Sequence, residues 1–478
     1  MLRNALVMFF FFASFYNVEA SFQTFLTEFQ EKNLVLKNAA DRQKLADFDE
    51  QIINELNAWN LSSSFSYVNN LEEPAGAFNA NQIKAKEYNL NFSKKFTTGT
   101  ELEFSNKLTS VNREEWIPIL LGNSPLILKE FSQGISLSQS LGADFLGRQS
   151  KVDLLIASIN KQTAQVQYNQ QQQDLMQEFF KNYILAKRAK SLIALQLEAV
   201  KRAEKQKNNL KKRVRDGTSN KVDLYQARLT LISQQENLKQ AKEVLVSALE
   251  QLSNGLHRIV GQKEVQGFSL KRKYKNTPFK GEIDKNLDVQ LLKNQLEVAK
   301  SSAKKADFAI FPEIKLSGSL RTNDFDEATS VAFKEGNILK DQREYIIGVE
   351  LKMPLGFATS KAEKAKQTIN KMIAERELQA LKARMNILED QLHKNEKNNF
   401  DKVQLSQKRR QLARITLKEQ NRLYNLGRAD FDQVLRSENE LINAQVSLVN
   451  NLSTYFQIQV LKYKLYGSTI DYLKGFKG

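Results

Sequence analysis

The sequence contains no cysteine and only two histidines. The absence of cysteine excludes disulfides, thiolate metal sites and attachment through a lipidated N-terminal cysteine. His257 and His393 have no carboxylate cluster at metal-ligand spacing, and the sequence shows neither a phosphate-binding glycine-rich loop nor a nucleophile elbow. We therefore predict no catalytic residue, no metal site and no cofactor, so that any energy must come from a partner.

Proline is scarce, which leaves long spans where a helix need not break. The six prolines are at positions 74, 118, 125, 278, 312 and 354. Residues 149–216 and 361–426 contain neither proline nor glycine. At about 1.5 Å per residue, each run predicts a helix about 100 Å long.

Long apolar runs are also missing, apart from a short one near the N-terminus. Arg3 precedes an 11-residue run from Ala5 to Phe15, and small residues end at Ala20. This pattern predicts a secretory signal peptide over residues 1–20, because a membrane anchor needs about 20 apolar residues. We therefore expect an exported chain that is either soluble or enters a membrane as strands.

The formal net charge is +17, which by itself would suggest a nucleic-acid partner. An exported protein seldom meets nucleic acid, and the basic residues alternate with acidic ones along the predicted helices. We therefore interpret the basic residues as belonging to solvated helix faces and predict no nucleic-acid partner. The densest basic patch, residues 201–215, lies just before Gly217.

The sequence repeats itself at a distance of 210 residues, since Gly217 and the residues after it align without a gap on Gly427 and its successors. After each glycine, steps of three and four residues define a heptad seam, which predicts helices packed as a coiled coil. The seam residues are Leu224, Ala227, Leu231, Leu238, Ala241, Leu245, Ala248 and Leu252 in the first copy, and Val434, Ser437, Leu441, Ala444, Leu448, Tyr455, Ile458 and Leu465 in the second.

Each copy has the same predicted order: a helix, strands, a long helix, a glycine tip and a second helix. The first repeat, residues 21–254, has a helix over 22–58, strands within 61–141, a long helix over 149–216, a tip at 217–221 and a helix over 222–254. A linker over 255–283 joins it to the second repeat, residues 284–478. That repeat has a helix over 284–310, strands within 313–354, a long helix over 361–426, a tip at 427–431 and a helix over 432–467.

The predicted strands alternate apolar and polar residues. They include EYNLNFSKKF, TGTELEF, GISLSQSL, EIKLSGSL and YIIGVELKMPLG. Such a pattern fits a membrane barrel with lipid outside and water inside, and the alternative is a soluble sandwich. Trp59, Trp116 and Tyr345 near strand ends are candidates for an interfacial belt. Four to six strands are too few to close a barrel, so several chains must share one, and residues 88–108 either enlarge it or form an extracellular hairpin.

The chain resembles the TolC-like outer-membrane efflux protein family over essentially its whole mature length. The similarity rests on the paired tips VRDGTSNKVDLYQAR and YNLGRADFDQVLRSE, on FPEIKLSGS before the third strand and on LKMPLG at the end of the fourth. The resemblance implies a mainly helical protein with membrane β-structure. Three copies would share one transmembrane β-barrel in outer-membrane lipid, continued by a periplasmic tunnel of long antiparallel coiled-coil helices.

The resemblance also implies roles for residues at the tips. Gly217, Thr218, Gly427 and Arg428 correspond to the periplasmic end, where an adaptor protein of an inner-membrane pump docks. At this end the tunnel is closed at rest. The family has an arginine two residues after the second glycine, whereas this chain has Ala429 there and Arg428 one position earlier.

Four positions near the tips correspond to the entrance gate of the family. Asp223 matches an aspartate that helps hold the entrance shut, and Tyr424 matches its tyrosine partner across the protomer interface. Gln433 and Arg436 occupy the two positions of an acidic constriction ring. The sequence predicts a neutral-to-basic entrance, and the alternative is that Arg436 points outward and pairs with Glu438 or Glu440.

These features predict a passive exit duct for efflux or type I secretion. A periplasmic coiled-coil scaffold or adhesin without a channel is the second function class, although a scaffold has no use for strands with a lipid-facing side. A solitary porin conflicts with the very long helices. The sequence does not identify the cargo, because in this family the pump selects it.

Overall fold

The computed structural model describes residues 22–71, 82–114, 126–270, 272, 274, 280–340, 343–353 and 358–476. The predicted signal peptide and Trp116 lie outside these residues. The helices are α1 (Phe22–Lys32), α2 (Leu34–Glu55), α3 (Arg148–Arg215), α4 (Lys221–Leu256), α5 (Leu287–Phe308), α6 (Thr329–Glu335), α7 (Ala358–Asn425), α8 (Phe431–Leu465) and α9 (Thr469–Gly475). No helix in this part of the chain has an apolar stretch long enough to span a lipid bilayer.

The strands are β1 (Trp59–Asn70), β2 (Gln82–Lys95), β3 (Thr100–Glu114), β4 (Leu126–Ser140), β5 (Glu313–Asp326) and β6 (Arg343–Lys352). They form one six-stranded antiparallel sheet in sequence order. The predicted fold class, a mainly helical protein that also contains β-structure, is confirmed, and the structure adds that the strands form one antiparallel sheet. Residues 88–95 and 100–108 belong to β2 and β3, which are inner strands of this sheet.

The chain forms two compact units. The sheet unit comprises residues 42–165 and 291–378, and the coil unit comprises the rest, namely the residues up to 41, 166–290 and 379–478. The long helices α3 and α7 each contribute residues to both units. The two units are described separately below.

In the sheet unit, the register places apolar residues in one row across all six strands. The row consists of Leu61, Phe92, Phe104, Ile135, Leu320 and Tyr345. The neighbouring row on the opposite face is mostly polar: Ser62, Asn91, Ser105, Gly134, Arg321 and Glu344. One face of the sheet is therefore apolar although much of it is exposed, as the alternation in the sequence predicts.

The junction between the sheet and α3 depends on a glycine and an aspartate. Gly147 has φ +72°, and a Cβ there would lie 1.7 Å from the carbonyl oxygen of Thr97, so only glycine fits. The Asp144 carboxylate accepts hydrogen bonds from the backbone N–H groups of Gln149 and Ser150 at 2.8 and 3.1 Å. These bonds satisfy donors that the first turn of α3 leaves unpaired.

The coil unit has an aromatic core where α1 packs against α3. Phe29 stacks on Phe179 with 4.5 Å between ring centroids, and Phe22 meets the edge of Phe180 at 5.4 Å. These rings are buried, and each contributes roughly 1.5–3 kcal/mol of stability. The sequence predicts one helix over residues 22–58, whereas the structure interrupts it at Asn33, whose side chain accepts a hydrogen bond from Leu36 N–H at 3.1 Å.

The seam residues of both repeats are buried or half-buried in α4 and α8. In α8 the seam is completed by further buried apolar residues, among them Val449, Leu452 and Val460. Heptad packing thus joins the helices of the coil unit, because a repeat of 3.5 residues keeps one stripe on the same side of each helix.

Candidate functional site at the two helical tips

Each tip is a turn in which a glycine reverses the chain between two helices. The first tip, residues 216–220, joins α3 to α4, and the second tip, residues 426–430, joins α7 to α8. Gly217 and Gly427 have φ of +74° and +73°. A Cβ at either glycine would meet nothing within 4 Å, so the left-handed backbone, and not a lack of space, requires glycine here.

Equivalent backbone hydrogen bonds close the two tips. At the first tip, Thr218 N–H donates to the carbonyl oxygen of Arg213 at 2.8 Å. At the second, Arg428 N–H donates to the carbonyl oxygen of Leu423 at 2.9 Å. These bonds close the last turn of each long helix around the glycine, as in a Schellman motif. The sequence repeat therefore corresponds to a structural one.

The two tips differ in how the following helix begins. Asn220 caps α4, since its side-chain oxygen accepts from Val222 N–H at 3.2 Å. Asp430 precedes α8 but makes no capping hydrogen bond. At the second tip Phe431 is buried instead and lies 5.8 Å from the Tyr424 ring. A side-chain cap thus marks the start of α4, whereas a buried aromatic residue marks the start of α8.

A small apolar core holds the two hairpins together behind the tips. It contains Leu210 of α3, Ala227 of α4, Leu417 of α7, and Phe431 and Val434 of α8. All four helices contribute to it, so the position of each tip depends on the other hairpin.

Asp223 and Tyr424 have separate neighbours within one chain. The Asp223 carboxylate accepts a hydrogen bond from the Ser219 hydroxyl at 3.0 Å. The Arg213 guanidinium lies 4.5 Å from the centre of the Tyr424 ring. The Tyr424 hydroxyl is buried and has no hydrogen-bond partner among the described residues. A bond between Asp223 and Tyr424 across a protomer interface therefore stays a prediction.

Arg436 is exposed and forms an ion pair with Asp432 one helical turn earlier, at 2.7 Å. The alternative prediction from the sequence, that Arg436 pairs with Glu438 or Glu440, is wrong. Glu438 pairs with Arg202 of α3, and Glu440 pairs with Arg409 of α7 at 2.7 Å. Gln433 is exposed as well.

Sequence reasoning missed the ion pair between Arg202 and Glu438. Glu438 is only 2% exposed, and its second carboxylate oxygen has no hydrogen-bond partner in the described part of the chain. The same is true of Arg202 Nη2. The sequence did contain a signal for this pair. The repeat aligns Arg202 with Leu412 and Glu438 with Arg228, so both charged residues differ in character from their counterparts in the other copy.

A polar cleft of about 320 Å³ opens beside this pair. Its lining includes Lys205, Asn209, Arg213, Asn421, Tyr424 and Glu438. The cleft lies between α3 and the second hairpin, so the contact between the hairpins is polar as well as apolar. Any movement of one hairpin away from the other would separate these groups.

The ends of the four helices nearest the tips carry most of the excess positive charge. Residues 201–232 and 408–440 contain eighteen lysines and arginines but only eight aspartates and glutamates. Hydrogen bonding by Arg409 lowers the pKa of Glu440, and hydrogen bonding by Arg422 lowers that of Glu419. These carboxylates are ionised at neutral pH and paired, and the surplus of cations remains.

Comparison with known proteins agrees with this geometry. Residues 103–256, which include most of β3 and all of β4, α3, the first tip and α4, match the family described as outer membrane efflux protein. The family is one of outer-membrane channels, in agreement with the localisation predicted from the sequence. A search of curated proteins found no match.

Solved structures show the same fold over nearly the whole chain. The open state of the Neisseria gonorrhoeae MtrE outer membrane channel has a TM-score of 0.68 at 14% identity, covering 96% of this chain and 93% of that one. CusC has a TM-score of 0.67 at 16% identity, with coverages of 94% and 92%. VceC of Vibrio cholerae has a TM-score of 0.65 at 14% identity, with coverages of 94% and 96%. The chain therefore has the fold of the TolC-like channels, as its resemblance implied.

Proposed function

We propose that three copies of this chain form an outer-membrane channel with a periplasmic tunnel, an exit duct for substrates delivered by an inner-membrane pump and a periplasmic adaptor. The observation that carries this proposal is the six-stranded sheet, which has an exposed apolar face and, within the described part of the chain, two open edges.

The open edges call for further copies of the chain. Among the described residues, β1 pairs only with β2, and β6 pairs only with β5. In lipid, unpaired backbone groups cost several kcal/mol each, so a sheet in a membrane must close. With six antiparallel strands, β1 and β6 run in opposite directions, which lets β6 of one copy pair with β1 of the next in the favoured antiparallel sense.

The expected size of the barrel supports a duct. Three copies of the six-stranded sheet give eighteen strands. Barrels of about 16–18 strands leave an aqueous channel, whereas barrels of about eight strands are filled by side chains. The polar face of the sheet would line this channel, and its apolar face would contact lipid.

We further propose that the two tips form the periplasmic entrance and the adaptor docking site. Gly217, Thr218, Gly427 and Arg428 lie in two turns that the sequence and the structure repeat. In a trimer, three copies of each turn would form one ring. The duct is passive, and it opens when the hairpins move apart at the tips, breaking contacts that include Asp223 and Tyr424.

The charges near the tips favour a neutral-to-basic entrance. Gln433 and Arg436 stand where the family has an acidic ring, and cations are in excess at the ends of the helices nearest the tips. A narrow opening lined by positive charge repels cations and attracts anions.

Cell fractionation followed by cross-linking tests the proposal. Because the chain has no cysteine, single cysteines placed along β1 and along β6 can be joined by a bifunctional reagent without background reactions. We expect heat-modifiable trimers in the outer membrane, with cross-links between the β1 and β6 positions that end at three copies. Soluble periplasmic protein, or a cross-linked ladder that continues beyond three, would support a coiled-coil scaffold instead.

A further inference from the structure

One part of the apolar face of the sheet is covered by a short segment of the chain. Helix α6 and the residues after it, up to Lys340, pack against β4 and β5, and we call residues 329–340 the flap. Phe333 of the flap contacts the buried Phe131 of β4, with 4.5 Å between ring centroids. Phe131 lies on the same face as Ile135 and Leu137, which belong to the exposed apolar surface.

The flap covers polar groups that would otherwise interrupt this apolar face. The register aligns Asn106, Gln133 and Thr322 in one row across β3, β4 and β5. This polar row lies two residues along the strands from the apolar row that contains Ile135 and Leu320. The Gln133 side chain donates to the Asn106 side chain at 2.8 Å and accepts from Ile338 N–H at 2.9 Å. The Thr322 hydroxyl donates to the carbonyl oxygen of Gly336 at 2.8 Å. Backbone groups of the flap thus form hydrogen bonds with the Gln133 and Thr322 side chains of this polar row.

Gly336 allows this close approach. A Cβ at this position would lie 2.5 Å from the carbonyl oxygen of Phe131, so any larger residue would lift the flap from the sheet. Thr322 and Ala332 are almost completely buried as a result, at 2% and 0% exposure. The flap is therefore a fixed layer on the sheet.

The outer surface of the flap exposes three large apolar side chains, together with the small polar residues Thr329 and Ser330 at the start of α6. Val331, Phe333 and Leu339 are 41%, 60% and 82% exposed. Of the two lysines in the flap, Lys340 pairs with Glu335 at 2.8 Å, and Lys334 is exposed. The polar row interrupts the apolar face of the sheet, and the flap covers that row. Its three large apolar side chains therefore provide apolar surface at the same place.

We propose that the flap is a lipid-contacting element that lies at the boundary between headgroups and acyl chains of the outer membrane. This inference rests on the proposed function. The apolar surface of the flap continues that of the row containing Ile135, Leu320 and Tyr345, which the proposed function places in lipid. An amphipathic helix at such a boundary buries its apolar side chains, and a lysine such as Lys334 extends its charge toward the headgroups.

Spin labels on single cysteines test this proposal in trimers reconstituted into phospholipid vesicles. The test sites are Val331→Cys and Leu339→Cys. Ile347→Cys, on the apolar face of β6, serves as the lipid control, and Ser62→Cys, on the polar face of β1, serves as the aqueous control. All four side chains are exposed, so labelling should not disturb folding. The measurement is the ratio of accessibility to oxygen, which partitions into lipid, and to a water-soluble nickel chelate.

We expect this ratio at Val331→Cys and Leu339→Cys to be several-fold higher than at Ser62→Cys and lower than at Ile347→Cys, as an interfacial position requires. If Ile347→Cys contacts lipid but both flap sites match Ser62→Cys, the flap faces water and the inference is wrong. If Ile347→Cys also matches Ser62→Cys, the sheet is not in lipid, and the proposed function fails together with the inference.

Discussion

Removing the carboxylate of Glu438 should destabilise the closed tips. Glu438→Ala leaves Arg202 without its partner in α8, and the two side chains are 3% and 29% exposed in the intact pair. Breaking a fully buried ion pair costs about 3–5 kcal/mol. Because Arg202 regains some water, we expect a smaller loss of about 2 kcal/mol, within the range for a hydrogen bond to a charged group.

If opening separates α3 from α8, this loss changes the ratio of open to closed channels by about 30-fold. Single-channel recording in planar bilayers measures that ratio directly. Glu440→Ala is the matched control, because it removes the same side chain two residues away on α8, from a pair whose side chains are about half exposed. Exposed pairs contribute little, so this control should behave like the unmodified channel.

A double substitution separates loss of the pair from general damage. Arg202→Met with Glu438→Leu removes both charges and should restore much of the closed population, because an apolar pair replaces a buried ionic one at little cost. An equal ratio of open to closed channels for Glu438→Ala and Glu440→Ala would refute the reasoning. So would a double variant that opens more than Glu438→Ala alone.

Three further predictions concern the gate, the entrance charge and the core. Replacing Asp223 and Tyr424 together, by alanine and phenylalanine, should raise conductance by removing the predicted link between protomers, and unchanged conductance would contradict that link. Recording with reversed salt gradients should show no strong cation preference. Arg436→Glu should shift the reversal potential in the direction of greater cation selectivity. A strong cation preference of the unmodified channel would disprove the basic entrance. Burial lowers the pKa of Lys187 to about 8, below the ordinary 10.5, so the folded state disfavours the charged form and stability should rise as pH increases from about 8 to 10.5. Lys187 Nζ also lies 5.6 Å from the centre of the Tyr183 ring and 5.8 Å from that of the Phe268 ring. Lys187→Met should abolish the rise and, after loss of these ring contacts, stabilise the protein at pH 7 by about 2 kcal/mol in denaturant titrations. A variant that keeps the rise would show that Lys187 does not cause it.

Family resemblance and local patterns in the sequence predicted much of the fold. The seam residues from Leu224 to Leu252 are buried or half-buried in α4, and the glycines at both tips have the left-handed backbone that ends a long helix. Alternation predicted the apolar face of the sheet. It did not single out β1, where serines occupy much of WNLSSSFSYVNN and weaken the apolar half of the pattern.

Heptad spacing, glycine turns and strand alternation act between residues a few positions apart, so the sequence by itself determined the helices, the tips and the two faces of the sheet. Pairing between distant segments was decided only by the tertiary structure. It joins Arg202 to Glu438 across 236 residues, and it brings the flap over Gln133, 205 residues before Ile338. No local period encodes such contacts, because they depend on which side chains meet once the helices and strands have packed.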